Sequence, residues 1–160
     1  MGSETTARAR DLVERGYRLQ LDDSIDEAKH CYMESIALDP SALAHTFLGW
    51  ALSVEGRIDE AIEECEKAIA LDPDLGNPWG DIGAYLMEKG EERTARRYLD
   101  RALAAKRHER HHYAHQNLGR LYARQGLLGS ALLELRRALA LEPRNRHARR
   151  AVREIQRRFN

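Results

Sequence analysis

Between residues 42 and 75 apolar side chains recur every three or four positions, break at Gly56, and resume until Pro73. That interval is the period of a helix with one buried face, so the stretch predicts two helices joined at the glycine. The arrangement recurs along the chain. Glycines 16, 49, 83 and 119 are spaced 33, 34 and 36 residues apart. Alanines 28, 61, 95 and 131 follow the same spacings, each twelve residues after its glycine. A further glycine comes seven residues on in three copies (Gly56, Gly90, Gly126), and Asp23 takes its place in the first. Pro40, Pro73 and Pro143 close three copies; Arg107 stands where the remaining one would be. A shared register of this kind predicts four stacked helix pairs. Gly56, Gly90 and Gly126 can take the left-handed conformation that ends the first helix of a pair, and proline ends the second. The glycines and alanines at the matched positions are expected to let the paired helices approach closely.

The segments LGWAL…EGRIDEAIEECEKAIALDP (48–73), IGAYL…KG…A…A (82–102) and LGRLY…QG…A…A…LEP (118–143) resemble the tetratricopeptide repeat family. The resemblance covers about residues 9–143, with copies at about 9–41, 42–75, 76–111 and 112–145. The first copy departs most, with Arg15 where Leu48, Ile82 and Leu118 stand in the others. The resemblance implies an all-α, right-handed superhelical solenoid whose first helices line a concave groove. Residues 1–8 are expected as a flexible extension. Ala148, Val152, Ile155 and Phe159 form one narrow stripe on an otherwise arginine-rich segment, which predicts a basic capping helix over 144–160.

Helical phase divides each first helix into two sides. The residues four and one before the glycine, the glycine itself and the residue three after it share the packing side. They are Leu12, His45, Trp79 and His115; then Arg15, Leu48, Ile82 and Leu118; then Leu19, Leu52, Leu86 and Tyr122. Trp79 is therefore expected to be structural. The other side, the groove face of the family, carries Val13, Tyr17, Gln20 and Leu21 in the first copy, and Leu43, Thr46, Phe47, Trp50, Ser53 and Val54 in the second. It carries Asn77, Gly80, Asp81, Ala84, Met87 and Glu88 in the third, and Tyr113, Gln116, Asn117, Arg120 and Arg124 in the fourth. Phe47 and Trp50 thus point away from the packing side. Aromatic side chains left there suit a binding surface. The competing reading is that superhelical curl, or residues 1–8, covers them.

Composition adds limits. The 160 residues suit one domain. No apolar run reaches the length of a membrane span. Cys31 and Cys65 lack metal-ligand spacing and read as reduced thiols of a cytoplasmic protein. Net charge is zero, but residues 1–80 hold 7 basic and 17 acidic residues, net −10, while residues 81–160 hold 19 and 9, net +10. Opposite charge at opposite ends raises the alternative of head-to-tail self-assembly into a homo-oligomer.

Other chemistry is sparse. In HERHHYAH (108–115), His108/His112 and His111/His115 have the spacing of a helical metal pair. His115, however, shares the packing position of His45 and Trp79, no further ligand completes a set, and no metal or other cofactor is expected. The arginines at 144, 146, 149, 150, 153, 157 and 158 could meet phosphates, but no interleaved aromatics accompany them; a nucleic-acid accessory role is the weaker alternative. No nucleophile motif or catalytic constellation occurs, so no enzyme activity is expected. Some family members grip chaperone C-terminal tails with a groove lysine and asparagine. Val13/Tyr17, Thr46/Trp50, Gly80/Ala84 and Gln116/Arg120 stand at those positions and argue against such a ligand. The sequence thus points to a non-enzymatic scaffold or adaptor that binds a partner peptide or helix. Its expected groove residues are Tyr17, Gln20, Leu43, Thr46, Phe47, Trp50, Asn77, Asp81, Tyr113, Gln116, Asn117, Arg120 and Arg124.

Overall fold

A computed structural model describes residues 2–107 and 110–159. Among them the chain forms nine helices: α1 (Gly2–Leu21), α2 (Ile25–Leu38), α3 (Ala42–Val54), α4 (Ile58–Leu71), α5 (Gly76–Glu88), α6 (Glu92–Ala104), α7 (His111–Arg124), α8 (Leu128–Leu141) and α9 (Arg146–Arg157). Odd and even helices pair in sequence, α1 with α2 through α7 with α8, and each odd helix also touches the next odd one. The result is an all-α solenoid capped by α9.

The turns follow from local chemistry. Gly56, Gly90 and Gly126 have φ of 77°, 80° and 76°, and Asp23, at the same place in the first copy, has φ of 63°. Asp39, Asp72 and Glu142, each preceding a proline, are held in extended backbone with φ of −155°, −149° and −135°. The pyrrolidine ring excludes the helical region for the residue before it, so each second helix stops there. Two helix starts carry side-chain caps: Ser41 accepts from the Ala44 N–H and Asn145 from the Ala148 N–H.

The third copy ends differently, for a visible reason. The Arg107 N–H donates to the Asp74 carbonyl at 3.0 Å, and the Arg107 carbonyl accepts from the Gly76 N–H at 2.7 Å. A proline could not make the first of these bonds. The Arg107 side chain also meets Asp72 at 2.5 Å.

Close approach of paired helices rests on the small residues. A Cβ placed at Gly83 would lie 2.7 Å from Leu99 Cγ, and one at Gly119 would lie 2.6 Å from Leu135 Cγ. Ala28, Ala61, Ala95 and Ala131 are wholly buried. Leu48, Leu52, Ile82, Leu86 and Leu118 are buried on the expected side.

Three expectations need correction. Residues 2–8 continue α1 as helix rather than forming a flexible extension; Arg8 reaches Glu34 at 3.1 Å, and Ser35 Oγ donates to the Ala9 carbonyl at 2.8 Å. The buried side of the odd helices is wider than the phase argument gave. Ala51, Tyr85 and Leu121 are also in the core, as are Val13, Thr46 and Met87 from the presumed groove side. An interior helix such as α3 touches α1, α2, α4 and α5, so more of its circumference is covered. Finally, the acidic excess of the first half does not sit on the end helix. Within α1 four arginines stand against three acidic residues, whereas α2 and α4 carry Asp26, Glu27, Glu34, Asp59, Glu60, Glu63, Glu64 and Glu66. The helix at the N-terminal end is therefore not itself acidic, although the first copy as a whole is.

Candidate binding groove

Odd helices place one side of each turn toward a common concavity. A pocket of about 270 Å³ opens there between α3, α5 and α7. Thr46, Phe47 and Trp50 line it from α3, Asn77, Gly80, Asp81 and Ala84 from α5, and Tyr113, Ala114 and Asn117 from α7, with Arg110 just before that helix. The volume has a local cause. The third copy has Gly80 and Ala84 where the second has Thr46 and Trp50, so α5 projects little bulk into the groove.

Phe47 and Trp50 are half-buried, and neither is covered outright. Their rings form a cluster with Tyr17: Tyr17 to Phe47 is 5.2 Å between centroids, Tyr17 to Trp50 is 6.3 Å, and Phe47 to Trp50 is 6.5 Å. Tyr32 of α2 supports Phe47 from behind at 5.8 Å. Tilted contacts of this kind fix the rings' orientation. Tyr17 and Leu43, with Val13, Glu14, Arg18 and Phe47, line a shallower pocket at the first-copy end. Arg120 and Arg124 line another at the opposite end, where Arg158 of the C-terminal region joins them.

Asp81 is the unusual residue. It keeps a partial opening to the groove, yet protein surrounds it, and among the described residues it takes no hydrogen bond or ion pair. Burial pushes its carboxyl up to about 7, opposed by the positive charge of Arg110. Arg110 crosses the groove to donate to the Tyr17 hydroxyl at 3.1 Å, joining the first copy to the junction before the fourth.

Not every expected residue reaches the pocket. Gln20 is buried with its Oε1 accepting from Tyr32 at 2.9 Å, and Gln116 is buried with its Oε1 accepting from Asn145 at 2.7 Å. Both hold helices together. Thr46 lines the pocket but donates its hydroxyl to the Ala42 carbonyl at 2.7 Å. Arg120 donates to Asn117 at 3.3 Å, and Arg124 donates to the Met87 carbonyl at 3.2 Å. Sequence reasoning missed Arg110, which lies at the irregular junction where the repeat register gives no phase.

The histidines have other partners. His45 Nδ1 lies 2.6 Å from Glu64, and His115 Nδ1 lies 2.7 Å from Glu134. The same two positions hold Trp79 and Tyr98 in the third copy, stacked at 5.6 Å. The Trp79 indole also donates to the Pro73 carbonyl at 3.1 Å, consistent with its structural assignment. His108 lies outside the described residues; among those described, no group of three or more potential ligands could hold a metal. Cys31 and Cys65 are buried free thiols whose pKa burial raises, which keeps them protonated. No described helix is long and apolar enough to cross a membrane.

Stacked helix pairs with a concave face define the class of helical-repeat solenoids. Family models for the tetratricopeptide repeat match residues 42–75 and 81–146, together more than half of the chain, and the protein belongs to that family. Proteins of this family generally serve protein–protein interaction. Over 74 residues, 46% of this chain, it is 32% identical to the TPR repeat-containing thioredoxin TTL4 of Arabidopsis thaliana. Over 67 residues, 41% of the chain, it is 34% identical to the protein O-mannosyl-transferase TMTC1 of Mus musculus. The matched stretches span 11% and 7% of those proteins' lengths. Among solved structures, the Pseudomonas aeruginosa pilF protein superposes with a TM-score of 0.86 at 21% identity, covering 96% of this chain and 70% of that one. YrrB, described as a TPR protein with an unusual peptide-binding site, gives 0.64 at 22%, covering 92% and 76%. The second TPR of Spaghetti (RPAP3), solved with the HSP90 peptide SRMEEVD, gives 0.60 at 22%, covering 64% and 96%. At these identities the likeness is one of fold.

Proposed function

We propose that the chain is a non-enzymatic scaffold or adaptor, working in the cytoplasm, whose concave groove binds a peptide or helix of a partner protein. The observation that carries this reading is the half-buried Tyr17–Phe47–Trp50 cluster beside an open pocket. Large rigid aromatics next to a cavity lose little conformational entropy on binding and displace water from apolar area. Asn117, Arg120 and Arg124 would orient polar or acidic groups of the same segment further along the groove. Peptide recognition by structurally similar proteins supports the reading by analogy of fold.

Peptides selected from a random displayed library on the wild-type chain provide the test. Trp50→Ala should weaken selected peptides by about 2 kcal/mol or more, the scale of an interface hot spot. Ala84→Trp, which fills the pocket from α5, should weaken them comparably while thermal unfolding stays close to wild type. Undiminished affinity in both variants would sink the groove assignment.

A further inference from the structure

We propose that the pocket around Asp81 receives the cationic end of a lysine or arginine side chain from the bound segment. This rests on the groove reading and specifies what that groove selects.

The pocket holds two acceptors that no neighbouring donor meets, although Thr46, Asn117 and Arg110 also line it. Asp81 has no hydrogen-bond or ion-pair partner among the described residues. Asn77, one helical turn earlier on α5, has its Oδ1 buried and without a hydrogen bond. Both residues line the same cavity. A buried acceptor left unsatisfied costs free energy, and an uncompensated buried carboxylate costs more. A donor-rich cation entering from the groove would relieve both at once.

The walls suit the same guest. Phe47, Trp50 and Tyr113 line the cavity, and the faces of aromatic rings attract ammonium and guanidinium groups. The chain shows this chemistry internally at the rim: the Arg110 guanidinium carbon lies 5.9 Å from the Tyr113 ring centre, while its Nη2 donates to Tyr17. Arg110 donates to the Tyr17 hydroxyl on the far wall. Its charge still reaches Asp81 and favours the ionised carboxylate. Cys65 of α4 and Tyr85 of α5 also face Asp81, and both remain neutral at physiological pH because burial raises their pKa. A cation in the pocket would therefore meet one ionisable acid, one unsatisfied neutral acceptor and three rings, with the Arg110 guanidinium, bonded to Tyr17, as the one positive charge among the described lining residues.

The preference differs in sign from that of a site built to hold acidic tails. The basic end of the groove, with Arg120, Arg124 and Arg158, lies beyond α7 toward α9. A segment with a basic residue at Asp81 and acidic residues beyond it would match both regions.

The probes are N-acetyl-lysine methylamide and N-acetyl-arginine methylamide, with N-acetyl-norleucine methylamide as the uncharged isostere of lysine. Resonances of the Trp50 indole N–H and the Asp81 amide report binding. The cationic amides should shift both signals at concentrations at least fivefold lower than norleucine. Asp81→Asn should abolish that preference and leave the norleucine response unchanged. Acidification from pH 7.5 to 5.5 should weaken lysine binding in the wild type and not in Asp81→Asn. An equal response to lysine and norleucine, no response to either cation, or a preference that persists in Asp81→Asn would overturn the proposal. The groove reading fails by a different result, library peptides indifferent to Trp50→Ala and Ala84→Trp, so the two can fall separately.

Discussion

A single methyl group tests the packing at the residue scale. Gly83→Ala places a Cβ 2.7 Å from Leu99 Cγ and 3.3 Å from the Ala95 carbonyl, at a crossing where both helices are fixed. We expect a loss of about 1–3 kcal/mol in chemical unfolding, the usual cost of overpacking. Gly129 lies within α8 with nothing near its missing side chain; Gly129→Ala should be neutral or gain up to about 1 kcal/mol from helix propensity. Asp81 gives a second test. Its folded pKa of about 7 lies above the ordinary carboxylate value of 3.8, so the folded state holds the extra proton between those values. Stability should therefore fall as pH rises from about 4 to about 7. Asp81→Asn should be more stable than wild type at pH 8, by on the order of 2 kcal/mol after allowing for the opening to the groove, and nearly equal at pH 4. Thermal unfolding across that range decides it. The crowding at Gly83 was legible in the sequence because four copies agree on the position. The depth of Asp81 was not, because helical phase gives a direction and says nothing of what the next two helices place around it.

At the scale of elements, three of the four helix pairs share one lateral contact whose chemistry varies by copy. It is His45 with Glu64, Trp79 with Tyr98, and His115 with Glu134. The exchange of an aromatic pair for a polar pair was visible in the sequence once both members were aligned; aligning the first helices alone hid it. His45→Ala leaves Glu64, whose side chain is 13% exposed, with Lys67 on Oε1 and no partner for Oε2. It should cost about 1–3 kcal/mol. The double replacement His45→Trp with Glu64→Tyr copies the third pair and should recover most of what either single change loses, as a double-mutant cycle in chemical denaturation would reveal. Element boundaries were largely legible, since glycine, proline and the residue before proline are punctuation with a steric cause. The helical start at Gly2 and the pairing of Arg107 with Asp74 and Gly76 were not, because both depend on tertiary neighbours. Phe47 and Trp50, phased outward, stay half-buried, with Phe47 packed on Tyr32. For Gln20 and Gln116 the phase pointed outward, yet neighbouring helices cover them.

At the scale of the whole molecule, the charge of a half differs from the charge of its end helix. With arginines on both α1 and α9, head-to-tail association gains little attraction, and sedimentation should find a monomer in both low and high salt. A species that grows as salt is lowered would reverse this expectation. The bridge from Arg110 to Tyr17 has a different reach. In a linear array each copy answers mainly to its neighbours, so melting can begin at one end and travel. Here the first copy is also tied to the junction before the fourth, 93 residues away. Opening α1 therefore releases a constraint on the approach to α7, and α1 and the junction gain or lose protection together. The array is closed in part into a loop from α1 to the junction before α7. Its N-terminal end is expected not to fray independently of that junction, and a ligand that competes for Tyr17 or Arg110 would loosen the link.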